Sequence, residues 1–484
     1  METFSMLIDG EWLDSESCEY INVLDPSTEE VFAKVPSASE NEVNRALQAA
    51  KRAFPAWAGL SPFQRADYLW RASDILEERK ENIGGLMTRE QGKPLKEAIG
   101  EIEKGVEMLR FYAEEGKRAY GQIVANTDSN DQSLIIKQPI GVVAALSPWN
   151  YPVELTGWKA AASLAAGCTI VAKPPSLTPI SPLEYWRCLF DAGIPSGVIN
   201  AVTGSGVVVG RQLVKSPISE KIAFTGSFEV GLDIQDQAKE QIKKISLELG
   251  GHCPLIVSKY CDMGSSVKGA VRRSFRNMGQ ICIAINRIYV HEDIYETFLE
   301  EFKIETLKLV IANGIENPDS DVGPMASLEG LEKTATHIKD ALDKGARLVC
   351  GGQRPKGQEY EKGYFFEPTI LADTTHEMLI MTEETFGPAV GVMAYNSLEE
   401  AIQLANSTPF GLAAYACTND LHEMNKLSNE LQAGSVAINN VDAGIMNAPY
   451  GGWKQSGIGH EHGHEGLEEY LQLKHVRIRY REPL

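Results

Sequence analysis

The feature that most constrains the fold is an alternation of apolar, β-rich runs with helical stretches that begins near Ile135. The successive β-rich runs read GVVAAL, TIVAK, VINAV, KIAF and KKISLEL. Such alternation is typical of βαβ units, in which helices join parallel strands of one sheet. The pattern therefore predicts an α/β fold with a nucleotide-binding architecture.

A second α/β series follows Gly250 and predicts a separate domain. Its candidate strands are CPLIV, RIYV, LVCGG, AVGVMAY and SVAIN, and its candidate helices include residues 293–310 and 328–344. Before both series, a short β-like opening, MLIDGEWLD, leads into helical patterns at residues 40–54 and 64–79. The segment 122–138 and the run HVRIRY read as strands outside both sheets, and such exposed edges commonly pair with another chain.

Size and charge exclude several classes of protein. A chain of 484 residues exceeds the size of one hydrophobic core, so about three structural units are expected. The formal net charge of −20 disfavours nucleic acid or an anionic membrane as a partner. The opening METFSMLIDGEW lacks the features of a signal peptide, and no apolar run is long enough to span a bilayer, so the cytoplasm is the expected location.

The eight cysteines are scattered and form no CxxC pair, which fits neither a disulfide scaffold nor a zinc ribbon. Cys282, in FRNMGQICIAINR, can be a nucleophile: Gly279 permits close backbone approach, and a helix beginning near the thiol would lower its pKa. Taken alone, it is more readily interpreted as a buried core thiol. Glu248, in SLELGG, can act as a general base if burial raises its pKa, or it can simply form an ion pair at a strand end.

Polar and glycine-rich elements follow four of the predicted strands. Asn150 in SPWNYP can donate to an oxyanion or form a turn, and Lys173 in KPPS can bind a ribose or phosphate or remain solvated. Gly204, Gly206 and Gly210 form a GxGxxxG pattern, one residue longer than the dinucleotide fingerprint. The residues 225–227 in FTGS either contact phosphate or cap a helix. Because these elements are expected at one sheet edge, they jointly favour a dinucleotide site.

The motifs SPWNYP, KPPS, FTGS, LELGG, GQIC, EETFGP and YGGWKQSGIG occur in this order, and together they closely resemble the aldehyde dehydrogenase superfamily over essentially the whole chain. The resemblance implies an α/β fold with a Rossmann-like cofactor domain, at residues 1–120 and 139–248, and an α/β catalytic domain at residues 249–445. A small β oligomerisation arm with the C-terminal segment, residues 121–138 and 446–484, would join subunits into a dimer or a homotetramer.

The resemblance also implies roles for individual residues. Cys282 looks like the nucleophile, Glu248 the general base, and Asn150 with the backbone N–H of Cys282 the oxyanion hole. The expected reaction is NAD(P)-dependent oxidation of an aldehyde through a thiohemiacetal and a thioester, which water then hydrolyses to a free acid. The residues implied in binding NADP or NAD are Pro148, Trp149, Lys173, Ser176, Gly206, Gly210, Thr225, Gly226, Ser227, Leu249, Glu384 and Phe386.

Two features bear on specificity. Ser176 stands where many NAD-preferring members carry a glutamate, so NADP is permitted. The motifs EQGKPL, SFRNMGQIC and GGWKQSGIG with EEYLQLK resemble the succinate-semialdehyde dehydrogenase branch, and Arg276 matches one of its carboxylate-binding arginines. The second arginine of that branch aligns with Trp158, and its substrate-binding serine falls at Gly444 or Ile445. An aldehyde with an anionic tail is expected, either a semialdehyde or a hydroxy or sulfo acid aldehyde.

Three alternatives remain. Arg276 can form a structural ion pair while Trp158 and Trp453 line an aromatic pocket, which would suit a broad aliphatic, amino or aromatic aldehyde dehydrogenase. More remotely, the chain can be a non-catalytic structural protein of the same fold. His460, His462 and His464 in GHEHGHE suggest a metal site, but the family motif occupies this stretch, so no metal is expected.

Overall fold

In the computed structural model, which describes residues 1–481, two large sheets lie within a mixed α/β molecule. The first sheet has eight strands. In spatial order they are Gly457–Ile458, Lys244–Glu248, Ser219–Thr225, Val142–Leu146, Thr169–Lys173, Ile199–Ala201, Met6–Ile8 and Glu11–Leu13. The five central strands run parallel, as the βαβ pattern predicts.

The second sheet has seven strands. Their spatial order is Arg347–Cys350, Thr369–Ala372, Ala389–Tyr395, Ile285–His291, Cys253–Val257, Ala413–Cys417 and Ser435–Ile438. All pairs are parallel except the first, which is antiparallel. The sequence pattern missed the strands Thr369–Ala372 and Ala413–Cys417, because short apolar runs of this kind carry no periodicity of their own.

Three smaller sheets complete the strands of the described chain. Leu471–Arg479 pairs with Asp131–Pro139, which pairs with Gln122–Val124, so the two segments expected outside the large sheets form one sheet together. The other two sheets contain Glu2–Thr3, Glu30–Pro36 and Tyr20–Asp25, and Phe410–Gly411 with Trp453–Lys454. The strands near the N-terminus lie in a region that the sequence pattern described mainly as helical.

Fifteen α-helices pack around these sheets within residues 1–481. None of them is long and apolar enough to cross a membrane. They span Glu40–Ala58, Pro62–Glu78, Lys80–Gln91, Leu95–Glu115, Pro152–Ala166, Ile180–Asp191, Arg211–Lys215, Phe228–Ala238, Met263–Phe275, Tyr295–Thr306, Leu328–Asp343, Leu379–Thr382, Leu398–Asn406, Leu421–Glu430 and Gly463–Glu468.

The hydrophobic core follows from the strand composition. The strands Val142–Leu146 and Thr169–Lys173 are buried along their whole length, as expected for parallel strands covered by helices on both faces. The helix Pro152–Ala166, rich in alanine, is almost entirely buried next to them. Parallel strands with this order bring the ends that carry Asn150, Lys173 and Thr225 to one edge of the sheet.

Candidate active site

Cys282 and Glu248 meet between the two large sheets. The Cys282 thiol donates to Glu248 Oε1 at 3.3 Å, and its Sγ lies 3.5 Å from the hydroxyl of Tyr450. Glu248 ends a strand of the first sheet, whereas Cys282 precedes the strand Ile285–His291 of the second. Two residues that are 34 positions apart in sequence are therefore brought into direct contact.

The backbone before Cys282 differs from the expectation of a helix start. A 3₁₀ turn covers Arg276–Gly279, and Cys282 itself lies in a turn that leads into a strand. The expected helix at the thiol is wrong, and so is the lowered pKa: burial, and then the negative charge of Glu248, raise the pKa of Cys282 well above its usual value. Gly279 has φ +68° and lies so close to the Gly387 carbonyl that a Cβ could not fit. The expected close approach at Gly279 is confirmed.

Burial raises the pKa of Glu248 to about 7, which is the range useful to a general base. The other carboxylate oxygen accepts a hydrogen bond from Thr225 Oγ1 at 3.0 Å. Thr225 Oγ1 in turn accepts one from Lys159 Nζ at 2.7 Å, and Lys159 pairs with Glu461 at 3.2 Å. Thr225, expected at the cofactor, thus has its hydroxyl committed to Glu248.

The sequence reasoning missed Tyr450, Lys159 and Glu461. Lys159 carried a signal that could have found it, because a lysine inside the otherwise apolar stretch GWKAAASLAA cannot reach solvent from a buried helix. Its side chain is fully buried, and that of Glu461 is 6% exposed. Glu461 and Tyr450 had no such local signal, since each belongs to a polar, glycine-rich stretch.

Asn150 follows the strand Val142–Leu146 after a short turn and lies next to the loop that carries Cys282. Its Nδ2 donates to the Gln280 carbonyl at 3.0 Å, and its own backbone carbonyl accepts from Asn277 Nδ2 at 3.1 Å. An amide has two N–H groups, so one remains to donate towards an oxygen on Cys282. This arrangement can stabilise an oxyanion that forms beside the sulfur.

The cavity above Cys282 has a volume of about 1110 Å³ and is lined by all four residues expected at the substrate. Trp158 projects from the helix Pro152–Ala166, Arg276 follows the helix Met263–Phe275, and Gly444 and Ile445 belong to the loop before Tyr450. Arg276 Nε lies 3.3 Å from Glu97 Oε1, yet the arginine side chain remains 30% exposed. Trp453, proposed with Trp158 for an aromatic pocket, is not among the lining residues.

The three histidines of GHEHGHE do not converge. His462 packs edge-on against Trp158 with its ring centroid 4.3 Å away, and its Nδ1 donates to the Ile445 carbonyl at 3.2 Å. His464 contacts Glu115 at 2.7 Å instead. Within residues 1–481 no cluster of three metal-ligating side chains is found.

Most of the residues expected at the cofactor lie along the carboxyl edge of the first sheet. Lys173 is buried, and burial lowers its pKa to about 8. Within residues 1–481 its Nζ donates to the Pro174 carbonyl at 3.1 Å and to Ser176 Oγ at 3.4 Å and pairs with no carboxylate. A buried lysine in such surroundings fits an anionic or hydroxyl-rich ligand. Gly206 and Gly210 bound a π-helical turn after the strand Ile199–Ala201, and Ser205 caps that turn.

At the next strand end, Gly226 packs on the Phe224 ring so closely that a Cβ would clash. Ser227 accepts a hydrogen bond from the Val230 N–H at 3.4 Å, which is the helix-capping role considered from the sequence. Leu249 is buried directly after Glu248. These positions follow the strands Ser219–Thr225 and Lys244–Glu248, which the strand Val142–Leu146 separates from the strand of Lys173 in the same sheet.

Glu384 and Phe386 belong to the loop that precedes the strand Ala389–Tyr395 of the second sheet. Glu384 Oε1 accepts from the Gly251 N–H at 3.0 Å, and burial raises the pKa of this carboxyl to about 7. Phe386 packs edge-on against Trp149, with ring centroids 5.5 Å apart, and Pro148 precedes Trp149 in the same turn. The site therefore brings together a thiol, a carboxyl group and a side-chain amide, next to the strand ends expected at the cofactor.

Comparison with known proteins assigns the chain to a family. The sequence profile described as the aldehyde dehydrogenase family matches residues 12–476. The chain belongs to the aldehyde dehydrogenase family. It is an NAD(P)-dependent aldehyde-oxidising enzyme, and the non-catalytic alternative is excluded.

Two curated aldehyde dehydrogenases are closely similar. The NADP-dependent succinate-semialdehyde dehydrogenase of Escherichia coli is 42% identical, with 98% of this chain and 97% of that protein aligned. The 3-sulfolactaldehyde dehydrogenase of Pseudomonas putida is 41% identical over 97% of this chain and 96% of that protein. The crystal structure of an NADP-dependent enzyme of Escherichia coli superposes with a TM-score of 0.96 at 41% identity, covering 99% of this chain and 98% of that one. The expected fold class is thereby confirmed.

Proposed function

We propose that this aldehyde dehydrogenase oxidises an aldehyde with an anionic tail to the free acid. The observation that carries the proposal is the placement of Arg276 in the wall of the cavity that opens onto Cys282 and Glu248. A guanidinium suits a carboxylate or sulfonate because it offers a planar fork of donors. The two relatives named above act on aldehydes that carry these two anions, which supports the same substrate class here.

The chemistry begins at the Cys282 sulfur. In the resting arrangement Glu248 accepts the hydrogen bond of the thiol, so the carboxylate can take its proton as sulfur adds to the aldehyde carbon. Asn150 and the Cys282 N–H then stabilise the oxygen of the thiohemiacetal. NAD or NADP, when bound, accepts the hydride that leaves this carbon.

Hydrolysis of the resulting thioester returns the enzyme to its resting form. Once Glu248 has released the thiol proton to solvent, it takes a proton from water as hydroxide adds to the thioester carbon. The Cys282 sulfur then leaves as the thiolate and recovers a proton from Glu248. A carboxyl with a pKa of about 7 is ionised often enough near neutrality to act as this base. The presence of Glu248 favours water over coenzyme A as the acceptor of the acyl group.

For the cofactor, we propose that Lys173 and Ser176 hold the adenosine half and that Glu384 and Phe386 hold the nicotinamide half. Ser176 is a neutral side chain 3.4 Å from the Lys173 ammonium, so a 2′-phosphate meets no negative charge from either residue. This supports use of NADP. As expected from the sequence, we place the cofactor domain at residues 1–120 and 139–248 and the catalytic domain at residues 249–445.

We further propose that the protein is a cytoplasmic homo-oligomer, a dimer or a tetramer. The sheet formed by Gln122–Val124, Asp131–Pro139 and Leu471–Arg479 leaves Ile123 78% and Leu473 68% exposed. Exposed apolar strands are commonly covered by another subunit. All eight cysteines are free thiols, which suits a reducing compartment.

The test compares succinate semialdehyde and sulfolactaldehyde with neutral and aromatic aldehydes, following reduced cofactor. We expect kcat/KM for the acidic aldehydes to be higher by about tenfold or more, and Arg276→Leu to abolish this preference while leaving butanal oxidation nearly unchanged. Arg276→Lys keeps the charge but not the planar fork of donors, so its preference for acidic aldehydes should lie between those of the intact enzyme and of Arg276→Leu. If Arg276→Leu lowers kcat/KM equally for acidic and neutral aldehydes, Arg276 serves only as the ion-pair partner of Glu97.

The second candidate, a broad aldehyde dehydrogenase, is favoured by one observation. Trp158, Tyr450 and His462 form an aromatic cluster in the cavity wall, with ring centroids 4.3 to 5.6 Å apart. If benzaldehyde or an aminoaldehyde gives the highest kcat/KM, this cluster rather than Arg276 selects the substrate.

A further inference from the structure

A buried ion pair next to the active site has no part in the chemistry described above. Lys93, from the motif EQGKPL, lies 2.5 Å from Glu101 through Nζ and Oε2, and both side chains are completely shielded from solvent. Burying two charges costs more than their attraction alone usually returns, so such a pair is weak evidence for a role in stability. Its other contacts indicate what it does.

Lys93 Nζ makes a second hydrogen bond, to the backbone carbonyl of Asn150 at 2.8 Å. The same ammonium lies 3.9 Å from the centroid of the Tyr151 ring, a cation–π contact with the next residue of the chain. Lys93 thus contacts both residues of the turn that carries the Asn150 amide. It is held in this position by the turn at Gly92 and by Gln91, whose side chain accepts from the Lys93 N–H at 2.9 Å.

Glu101 fixes the other side of the same turn. Its Oε1 accepts hydrogen bonds from the Val153 N–H at 2.8 Å and the Glu154 N–H at 3.1 Å, in the first turn of the helix Pro152–Ala166. These N–H groups have no partner within the helix and must be satisfied from outside. The one carboxylate therefore joins the start of this helix to Lys93.

The pair contacts the chain from the Asn150 carbonyl to the Glu154 N–H, directly after the Asn150 side chain, and touches no reacting atom. The amide of Asn150 can stabilise an oxyanion only if it stays within hydrogen-bonding distance of the position that the oxygen will occupy, and a displacement of about 1 Å is costly in rate. We propose that Lys93 and Glu101 are positioning residues that hold the Asn150 amide in place for the oxyanion. This inference rests on the role of Asn150 in the proposed function.

A double-mutant cycle between Lys93 and Asn150 tests the inference. The reaction is hydrolysis of p-nitrophenyl acetate without cofactor, in which attack by Cys282 also forms an oxyanion and the natural aldehyde need not be known. We expect Lys93→Met to lower kcat by about tenfold with little change in KM. This loss is smaller than the one expected when an oxyanion donor is removed altogether, because the Asn150 amide is displaced but still present. In the Asn150→Ala background the same substitution should cost less than about twofold, because the amide it positions is gone.

Two further variants keep the outcome interpretable. Glu101→Gln retains an oxygen for the helix N–H groups but loses the charge. Its loss of kcat should therefore be smaller than that of Lys93→Met, and it should likewise occur only where Asn150 is intact. Lys221→Met removes another fully buried lysine that is paired with a glutamate, Glu469, and it should lower stability without changing kcat. If Lys93→Met folds poorly, the double-mutant cycle with Asn150→Ala is measured with Glu101→Gln instead.

The outcomes separate this inference from the proposed function. If Asn150→Ala alone leaves the rate unchanged, the oxyanion role in the proposed function is wrong. If Asn150→Ala lowers the rate but Lys93→Met and Glu101→Gln lower it by the same factor in both backgrounds, or not at all, the positioning role is overturned while the proposed function stands.

Discussion

Replacing Lys159 by methionine should raise the pKa of Glu248 and shift the pH at which the acyl-enzyme is hydrolysed. The hydroxyl of Thr225 bridges the two groups, donating to Glu248 at 3.0 Å and accepting from Lys159 at 2.7 Å. The ammonium thus lies within about 6 Å of the carboxylate, which corresponds to about 3 kcal/mol at an effective dielectric constant of 20. Lys159 lowers the pKa of Glu248, whereas burial raises it.

The sign and size of the effect follow from this energy. Loss of about 3 kcal/mol of attraction raises the pKa of the carboxyl by about 2, from about 7 in the intact protein to about 9. The base works only when ionised, so activity is lost as the pH falls through its pKa. At pH 7 the ionised fraction falls from about one half to about one hundredth, a loss of about fiftyfold that is recovered above pH 9.

Steady-state hydrolysis of p-nitrophenyl acetate between pH 5.5 and 10 measures this profile, because release of the acetyl group from Cys282 depends on the same base. The matched control is Lys159→Met combined with Glu461→Gln. Glu461 raises the pKa of Glu248, so removing both charges together should return the midpoint close to pH 7. An unchanged midpoint in the single variant, or equal midpoints in the single and double variants, would refute the electrostatic reasoning.

Two further predictions concern the cofactor and stability. Ser176→Glu should lower kcat/KM for NADP relative to NAD by about tenfold or more, because a carboxylate beside Lys173 repels a 2′-phosphate; a parallel loss with both cofactors would contradict this. Ser39→Ala removes the capping box that Ser39 and Glu42 form at the start of the helix Glu40–Ala58, and it should lower the free energy of unfolding by about 1 kcal/mol with activity unchanged. The midpoint of urea unfolding measures this loss, and an unshifted midpoint would count against it.

Much of the fold could be predicted from local patterns. The runs GVVAAL and TIVAK are continuous apolar strands between helices, and only a covered parallel sheet buries such runs on both faces. The parallel order in turn places the ends of these strands at one edge, so the shared location of Asn150 and Lys173 could be inferred before any coordinates. The strands Tyr20–Asp25 and Glu30–Pro36 were missed because they alternate weakly and lie beside strong helical patterns.

Local motifs were enough to identify the residue types of the site: a thiol in GQIC, a carboxylate in LELGG and an amide in SPWNYP, in an order typical of one family. The electrostatics of these groups depend on long-range packing, which no local motif contains. The pKa of Cys282 depends on burial and on a carboxylate 34 residues away in the chain, so a local expectation of a helix start gave the wrong direction. The contacts of Lys159 with Thr225 and of Lys93 with Asn150 likewise join segments far apart in sequence. Periodicity records which face of an element is buried, whereas the charges that meet there depend on how the elements pack.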